Sequence, residues 1–190
     1  MTGRQKYQGA PWLYDETTGD IVGVKDPDGS EFYWSRASNY GLFYDLADQS
    51  ASINTATPIR FNTPVLEQGV RIVDTNKVTF DRAGKFSFTL TAQVENGDSQ
   101  AHNFWLWGRI DGVDIPNSLT RYSVPSSHGG LHGAIVVERS YFGPMAAGQY
   151  IQVMWMTDST DVTINFAAES ASPARPATPS AYLSVHEVAA

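Results

Sequence analysis

The segment Gly84–Glu95, GKFSFTLTAQVE, alternates along its whole length. Phe86, Phe88, Leu90, Ala92 and Val94 fall on one side of an extended chain, and Lys85, Ser87, Thr89, Thr91, Gln93 and Glu95 on the other. Period-two alternation of this kind is the mark of a β-strand with one dry face and one wet face. A sheet built from such strands must cover its dry face with a second layer, so the pattern predicts a β-sandwich. Val162, Ile164 and Phe166 alternate with Asp161, Thr163 and Asn165 in the same way. From residue 40 onward the pattern predicts strands near 41–48, 58–62, 69–73, 77–81, 84–95, 102–111, 131–142, 148–157, 160–167 and 180–188, with a short one near 118–124. Turn formers separate them, among them Asn96-Gly97, Asp111-Gly112, Gly129-Gly130 and Ala147-Gly148. No stretch carries helical spacing with start and stop signals, which places the chain in the all-β class.

Two strands break the one-dry-face rule. In HNFWLWGRI, Phe104, Leu106 and Ile110 oppose Trp105 and Trp107; in QYIQVMWMT, Ile151, Val153 and Trp155 oppose Tyr150, Met154 and Met156. A strand apolar on both faces needs cover on both sides. The second cover comes either from elsewhere in the chain or from another subunit. The latter makes Trp105, Trp107, Tyr150, Met154 and Met156 the candidate subunit interface.

Residues 1–39 differ from the remainder, residues 40–190. They hold short β-like pieces between turn signals at Thr18-Gly19, Asp26-Pro27 and Asp28-Gly29. Each fully buried large apolar side chain contributes roughly 1.5–3 kcal/mol, so Trp12, Tyr14, Ile21, Val22 and Trp34 call for a surface to cover them. Either the segment is a hairpin packed on the sandwich, or it is an extended arm that docks on a partner through those five residues. The loop ASPARPATPS precedes a last strand, AYLSVHEV.

Composition narrows the functional classes. The 190 residues carry a net charge of −7 and no basic run, which argues against phosphate-backbone binding and hence against nucleic acid as a partner. Charged residues make up 17%, below the roughly 25% of ordinary globular domains, as suits a surface partly hidden against neighbours. No cysteine is present, which is compatible with assembly in a reducing cytoplasm. The N-terminus lacks the apolar stretch of a signal peptide, and no apolar run reaches the ~20 residues of a membrane helix, so a soluble protein without a membrane partner is expected.

Chemistry is sparse. His128 and His132 have i, i+4 spacing, but Gly129 and Gly130 lie between them and no helix pattern surrounds them, so a flexible loop is predicted and no metal. Asp26 to Glu31 lacks the spaced acids of a calcium loop and reads as an Asx turn. Asp111-Gly112 reads as a tight hairpin turn. No serine sits in a nucleophile elbow. The expectation is a non-enzymatic protein with no cofactor.

Several segments resemble known proteins. NKVTFDRAGKFSFTLTAQVEN, a short strand, an Ala-Gly corner and a long aromatic-rich strand, resembles a corner of the C1q/TNF-like jelly roll. AAGQYIQVMWMTD and AYLSVHEV are similar to later strands of that family, and the likeness spans about residues 40–188. YGLFYDLADQSASINTATPIRFNT, WGRIDGVDIPNS, the closing PATPSAYLSVHEV and the leader PWLYDETTGDIVGVKDPDGSE further resemble jelly-roll proteins of tailed-phage virions. The resemblance implies an antiparallel jelly-roll sandwich with an N-terminal arm, forming a homotrimer. It also implies a place on the virion exterior, after assembly in the host cytoplasm, as a capsid decoration or cement protein bound to the major capsid protein or another virion protein. A head-fibre or tail-fibre tip that binds the host surface is the second expectation, and a polysaccharide-active enzyme the third. The collagen stalk and cysteines of animal C1q-like proteins are missing here, so receptor and immune roles do not carry over.

Overall fold

The structure, a computed structural model, describes residues 12–14, 21–25, 28–33 and 38–189. The chain divides into two compact units, residues 1–38 and 39–190.

The first unit holds β1 (Trp12–Tyr14), β2 (Ile21–Lys25) and β3 (Glu31–Tyr33), an antiparallel meander in the order β1-β2-β3. Of the two readings of this segment, hairpin or extended arm, its described strands have the local pairing of a hairpin. Asp28 Oδ1 accepts the Ser30 amide hydrogen at 2.9 Å and Gly29 takes φ +92°, which is the Asx turn the sequence predicts between β2 and β3.

The second unit is a two-sheet sandwich. Its strands are β4 (Tyr40–Asp45), β5 (Thr57–Pro58), β6 (Thr63–Gln68), β7 (Val70–Val73), β8 (Lys77–Phe80), β9 (Gly84–Asn96), β10 (His102–Ile110), β11 (Val113–Asp114), β12 (Thr120–Val124), β13 (Gly133–Met145), β14 (Tyr150–Thr157), β15 (Val162–Ile164), β16 (Ser170–Ala171), β17 (Ala174–Arg175) and β18 (Ala181–Ala189). The first sheet runs β13-β9-β18-β4-β6, with β15 on β9. The second runs β11-β10-β14-β8-β7, with β12 on β10 and β5 on β14. All pairings are antiparallel, and the chain passes repeatedly from one sheet to the other, as a jelly roll requires. No helix occurs among the described residues.

The alternation in β9 is realised in full. Phe86, Phe88, Leu90, Ala92 and Val94 are all buried, while the intervening side chains face outward. Phe80 meets Phe86 at 4.5 Å and Phe88 at 5.9 Å between ring centroids, joining the sheets at one end of the core. Phe104 stacks on Trp155 at 5.4 Å across the β10–β14 ladder. The turn between β10 and β11 is the two-residue Asp111-Gly112, both at positive φ, which matches the twist of a hairpin.

Two sequence expectations change. Residues 63–68 form a strand that the pattern does not predict: β6 is a sheet edge whose side chains are mostly exposed, so no dry face marks it. The strand predicted near 58–62 shrinks to Thr57–Pro58, and Ile59 and Phe61 are buried just beyond it.

Candidate functional site

The outer face of each sheet is a possible contact surface, and the two differ in chemistry. Antiparallel register places directly opposed residues on one face. On the first sheet, Thr63, Tyr44, Tyr182, Thr91 and Glu138 form one such row. Leu66, Leu42, Ser184, Thr89 and Ser140 form the next, and Gln68, Tyr40, His186, Ser87 and Phe142 the third. The Tyr44 and Tyr182 rings lie 5.4 Å apart, and Thr89 Oγ1 lies 3.3 Å from Ser140 Oγ. Leu66 and Phe142 stand 51% and 60% exposed at opposite margins of the sheet. Across these rows Glu138 and His186 are the only acidic or basic side chains. A face that carries tyrosine and is depleted of charge shares those two features with an interface core, although its serines do not.

The outer face of the second sheet holds the tryptophans that the sequence selects. Trp105 lies between Arg121 of β12 and Met156 of β14, and Trp107 opposes Met154. All are half-buried or exposed except Met154, which is 1% exposed. Met154 is flanked by Trp107 on one side and Pro58 of β5 on the other. Its cover thus comes from its own chain, and it is withdrawn from the candidate subunit contacts. Tyr150 lies at the other end of the strand, opposite Thr79, with the Lys77 ammonium 5.3 Å from its ring centre. The structure therefore brings Trp105, Trp107 and Met156 together and sets Tyr150 apart.

Charges surround this second face. The Trp107 indole N–H and the Arg109 Nε–H both donate to Asp114 Oδ1, at 2.8 and 2.7 Å, and Arg109 and then Trp107 hold the Asp114 carboxyl below its usual range. Arg71 pairs with Asp81 at 2.6 Å, and Lys77 with Asp74 at 2.9 Å. Those partners are satisfied and largely hydrated, which suits a solvated surface better than an interface core. The sequence reading missed the first sheet's face because serine and threonine at alternate positions look the same whether water or a neighbour covers them. The three tyrosines of β4 and β18, pointing away from the core, were the available signal.

Of the arm residues, Trp12 is 51% exposed in β1 and opposes Val24. Tyr14, Ile21 and Val22 lie in β1 and β2, with Tyr14 opposite Ile21; their side chains lie outside the described set. Trp34 lies outside the described residues.

The histidines fall where loops meet. His128 exchanges both backbone hydrogen bonds with Leu131 around Gly129-Gly130, so the i, i+4 pair spans a tight turn and no helix. His132 Nδ1 lies 3.1 Å from Glu95 Oε2, which also accepts the Asn165 amide. His102 lies between Asp98 and Asp158, tying the turn after β9 to the turn after β14. No group of three or more potential metal ligands occurs among the described residues.

No family model matches the chain, and no curated protein matches it in sequence. Solved structures do share its fold. The Eiger TNF of S. frugiperda superposes with a TM-score of 0.52 at 12% identity, over 80% of this chain and 94% of that one. The globular domain of the zebrafish complement 1qA protein gives a TM-score of 0.45 at 11% identity, over 80% of this chain and 97% of the other. Together with the sheet order above, the likeness to the TNF structure establishes an all-β, antiparallel jelly-roll sandwich of the C1q/TNF type.

Proposed function

We propose that this chain is a non-enzymatic structural protein of a tailed-phage virion, a homotrimer that decorates and reinforces the head shell. The observation that carries the assembly half of this reading is the charge-poor tyrosine and hydroxyl face of the first sheet. Around a three-fold axis such faces meet each other, removing Leu42, Tyr44, Tyr182 and Phe142 from water with only Glu138 and His186 as acidic or basic side chains to accommodate; unpaired charges are costly to bury. The sandwich is then a knob, and the N-terminal unit its anchor. The capsid role is supported by the resemblance of the leader and of the segments around 40–63 and 105–118 to jelly-roll proteins of phage particles.

Attachment is adhesive and multivalent. Three N-terminal units on one trimer turn weak single contacts with the major capsid protein into durable binding, because the second and third contacts form at high effective concentration. Trp12, with 51% of its surface in water, is a ready anchor residue. The protein sits on the particle exterior in this reading. Deletion of residues 1–38, which spares the buried Asn39 of the sandwich, tests it: the truncated chain is expected to keep its trimer mass in solution and to lose binding to purified empty shells. Undiminished binding by the truncation removes the anchor role, and failure of the full chain to bind shells removes the decoration role.

A further inference from the structure

Between the sheets, on the side closed by β13, lies an apolar slot of about 40 Å³. Phe88, Leu90, Leu106, Ile151 and Leu183 form its walls. Among the lining residues Arg139 alone is charged. Its position breaks the pattern of its strand. Arg139 opposes Leu90, as Val137 opposes Ala92 and Tyr141 opposes Phe88, so register assigns it to the core-facing side of β13, where its neighbours are apolar. Arg139 is exposed and has no carboxylate partner among the described residues. Arg60 and Arg71, also exposed, each have one, whereas Arg121 and Arg175 do not; Arg139 differs from those two in lining the apolar slot. A lone guanidinium at an apolar slot is an arrangement that suits a ligand with a greasy end and an anionic end.

We propose that the slot binds the alkyl end of a short aliphatic carboxylate, with the carboxylate held by Arg139. Size limits the ligand. A water molecule takes roughly 30 Å³ of the liquid, so the slot admits one or two carbon-sized groups and no long chain. Apolar cavities of this kind stay dry and accept apolar guests. The guanidinium supplies a planar pair of donors matched to a carboxylate, and the resulting charge-assisted bonds are about twice as strong as neutral ones. This division of labour predicts two separable dependences, on alkyl length and on ligand charge.

The test uses the full chain with ¹³C-labelled Ile, Leu and Val methyl groups, titrated with butyrate, acetate and the uncharged butyramide. Butyrate is expected to shift the methyl resonances of Leu90, Leu106, Ile151 and Leu183 saturably, with an affinity on the order of millimolar. Each methylene that enters the slot tightens binding about fourfold, so acetate binds more weakly. Butyramide is expected to bind about fivefold or more below butyrate, and Arg139→Gln to abolish that difference while leaving the unliganded methyl spectrum unchanged. Equal responses to butyrate and butyramide overturn the proposal, as does an undiminished butyrate response in R139Q. So does the absence of shifts at those four residues, which is also the result expected if a neighbouring copy fills the slot. Should R139Q fail to fold, the butyrate-to-butyramide comparison in the unaltered protein decides alone.

Discussion

Nε2 of His102 lies 2.7 Å from Oδ2 of Asp98, while Nδ1 of the same ring lies 3.2 Å from Asp158 Oδ1. A neutral imidazole has one N–H and can donate to only one of these carboxylates; the imidazolium donates to both. The hydrogen bond His102 donates to Asp98, opposed by partial burial and joined by the Asp158 charge, holds His102 above its ordinary value of 6.5. Asp98 is lowered chiefly by His102. Burial pushes Asp158 up, but the backbone and side-chain N–H groups of Asn103, with the His102 charge, hold it net below its ordinary 3.8.

The sign of the pH dependence follows. A histidine raised in the folded state contributes its stabilisation fully below about 6.5 and loses it as pH rises through the raised value. The two aspartates, lowered on folding, contribute above about 4 and lose their share as pH falls through their folded values. The clamp is therefore strongest between about pH 4 and 6.5. Both bonds are charge-assisted in a partly exposed setting, so the clamp contributes a small difference in melting temperature between acid and alkaline conditions. His102→Asn is expected to remove that difference between melts at pH 5.5 and pH 8.5. An identical difference in H102N would place the pH dependence elsewhere.

Gly133 opens β13 beneath the chain segment Pro125–Ser126. A Cβ there would stand 2.0 Å from the Pro125 carbonyl oxygen and 2.7 Å from that of Ser126, both backbone atoms that cannot rotate aside. The same Pro125 oxygen accepts a hydrogen bond from the buried Asn96 side chain at 3.0 Å, so displacing the segment also disturbs the start of the β9–β10 turn. Gly133→Ala is expected to cost about 2–4 kcal/mol, in the overpacking range and above. Gly130→Ala provides the contrast: no atom lies within 4 Å of its Cβ, so only its φ of +82° opposes the change, at about 1 kcal/mol. Chemical denaturation of both variants checks the ranking. Equal losses would mean that the Pro125 segment moves freely.

The parts of the fold legible in the sequence are those where one side of a strand is dry and the other wet. β9 is the clearest case, since each of its five apolar positions reaches the core. The Asp28-Gly29 and Asp111-Gly112 turns are legible for a separate reason, that few residue pairs accept positive φ there. β6 is not legible, because an edge strand with Pro64 and exposed Val65 and Leu66 gains its structure from pairing with β4 and not from any periodicity of its own. The candidate site divides along the same line. Apolar residues on both faces of β10 and β14 signal a need for extra cover but not its source, and for Met154 that source is the same chain. Ser87, Thr89 and Thr91 signal only a polar face, and only their register with Leu42, Tyr44 and Tyr182 reveals a surface fit for a neighbour.

That register separates the two candidate interfaces experimentally. Leu42 lies in the middle row of the first sheet's outer face, between Leu66 and Ser184, and Thr89 lies one strand beyond Ser184. Leu42→Asp and Thr89→Lys each bring a single charge into that face, and in the proposed trimer each charge meets two copies of itself. An unpaired charge buried at an interface costs several kcal/mol, so both variants are expected to weaken assembly by about 100-fold or more. Trp107→Ala on the second sheet is expected to leave it within about fivefold of the unaltered protein, since its indole is already committed to Asp114. Sedimentation equilibrium over a dilution series measures all three, and circular dichroism confirms that each variant keeps its strands. Should W107A dissociate while L42D and T89K remain trimeric, the contact surface lies on the tryptophan side and the tyrosine face is solvated. Should all three remain trimeric, neither sheet face holds the subunits together, and the N-terminal unit becomes the element to delete next.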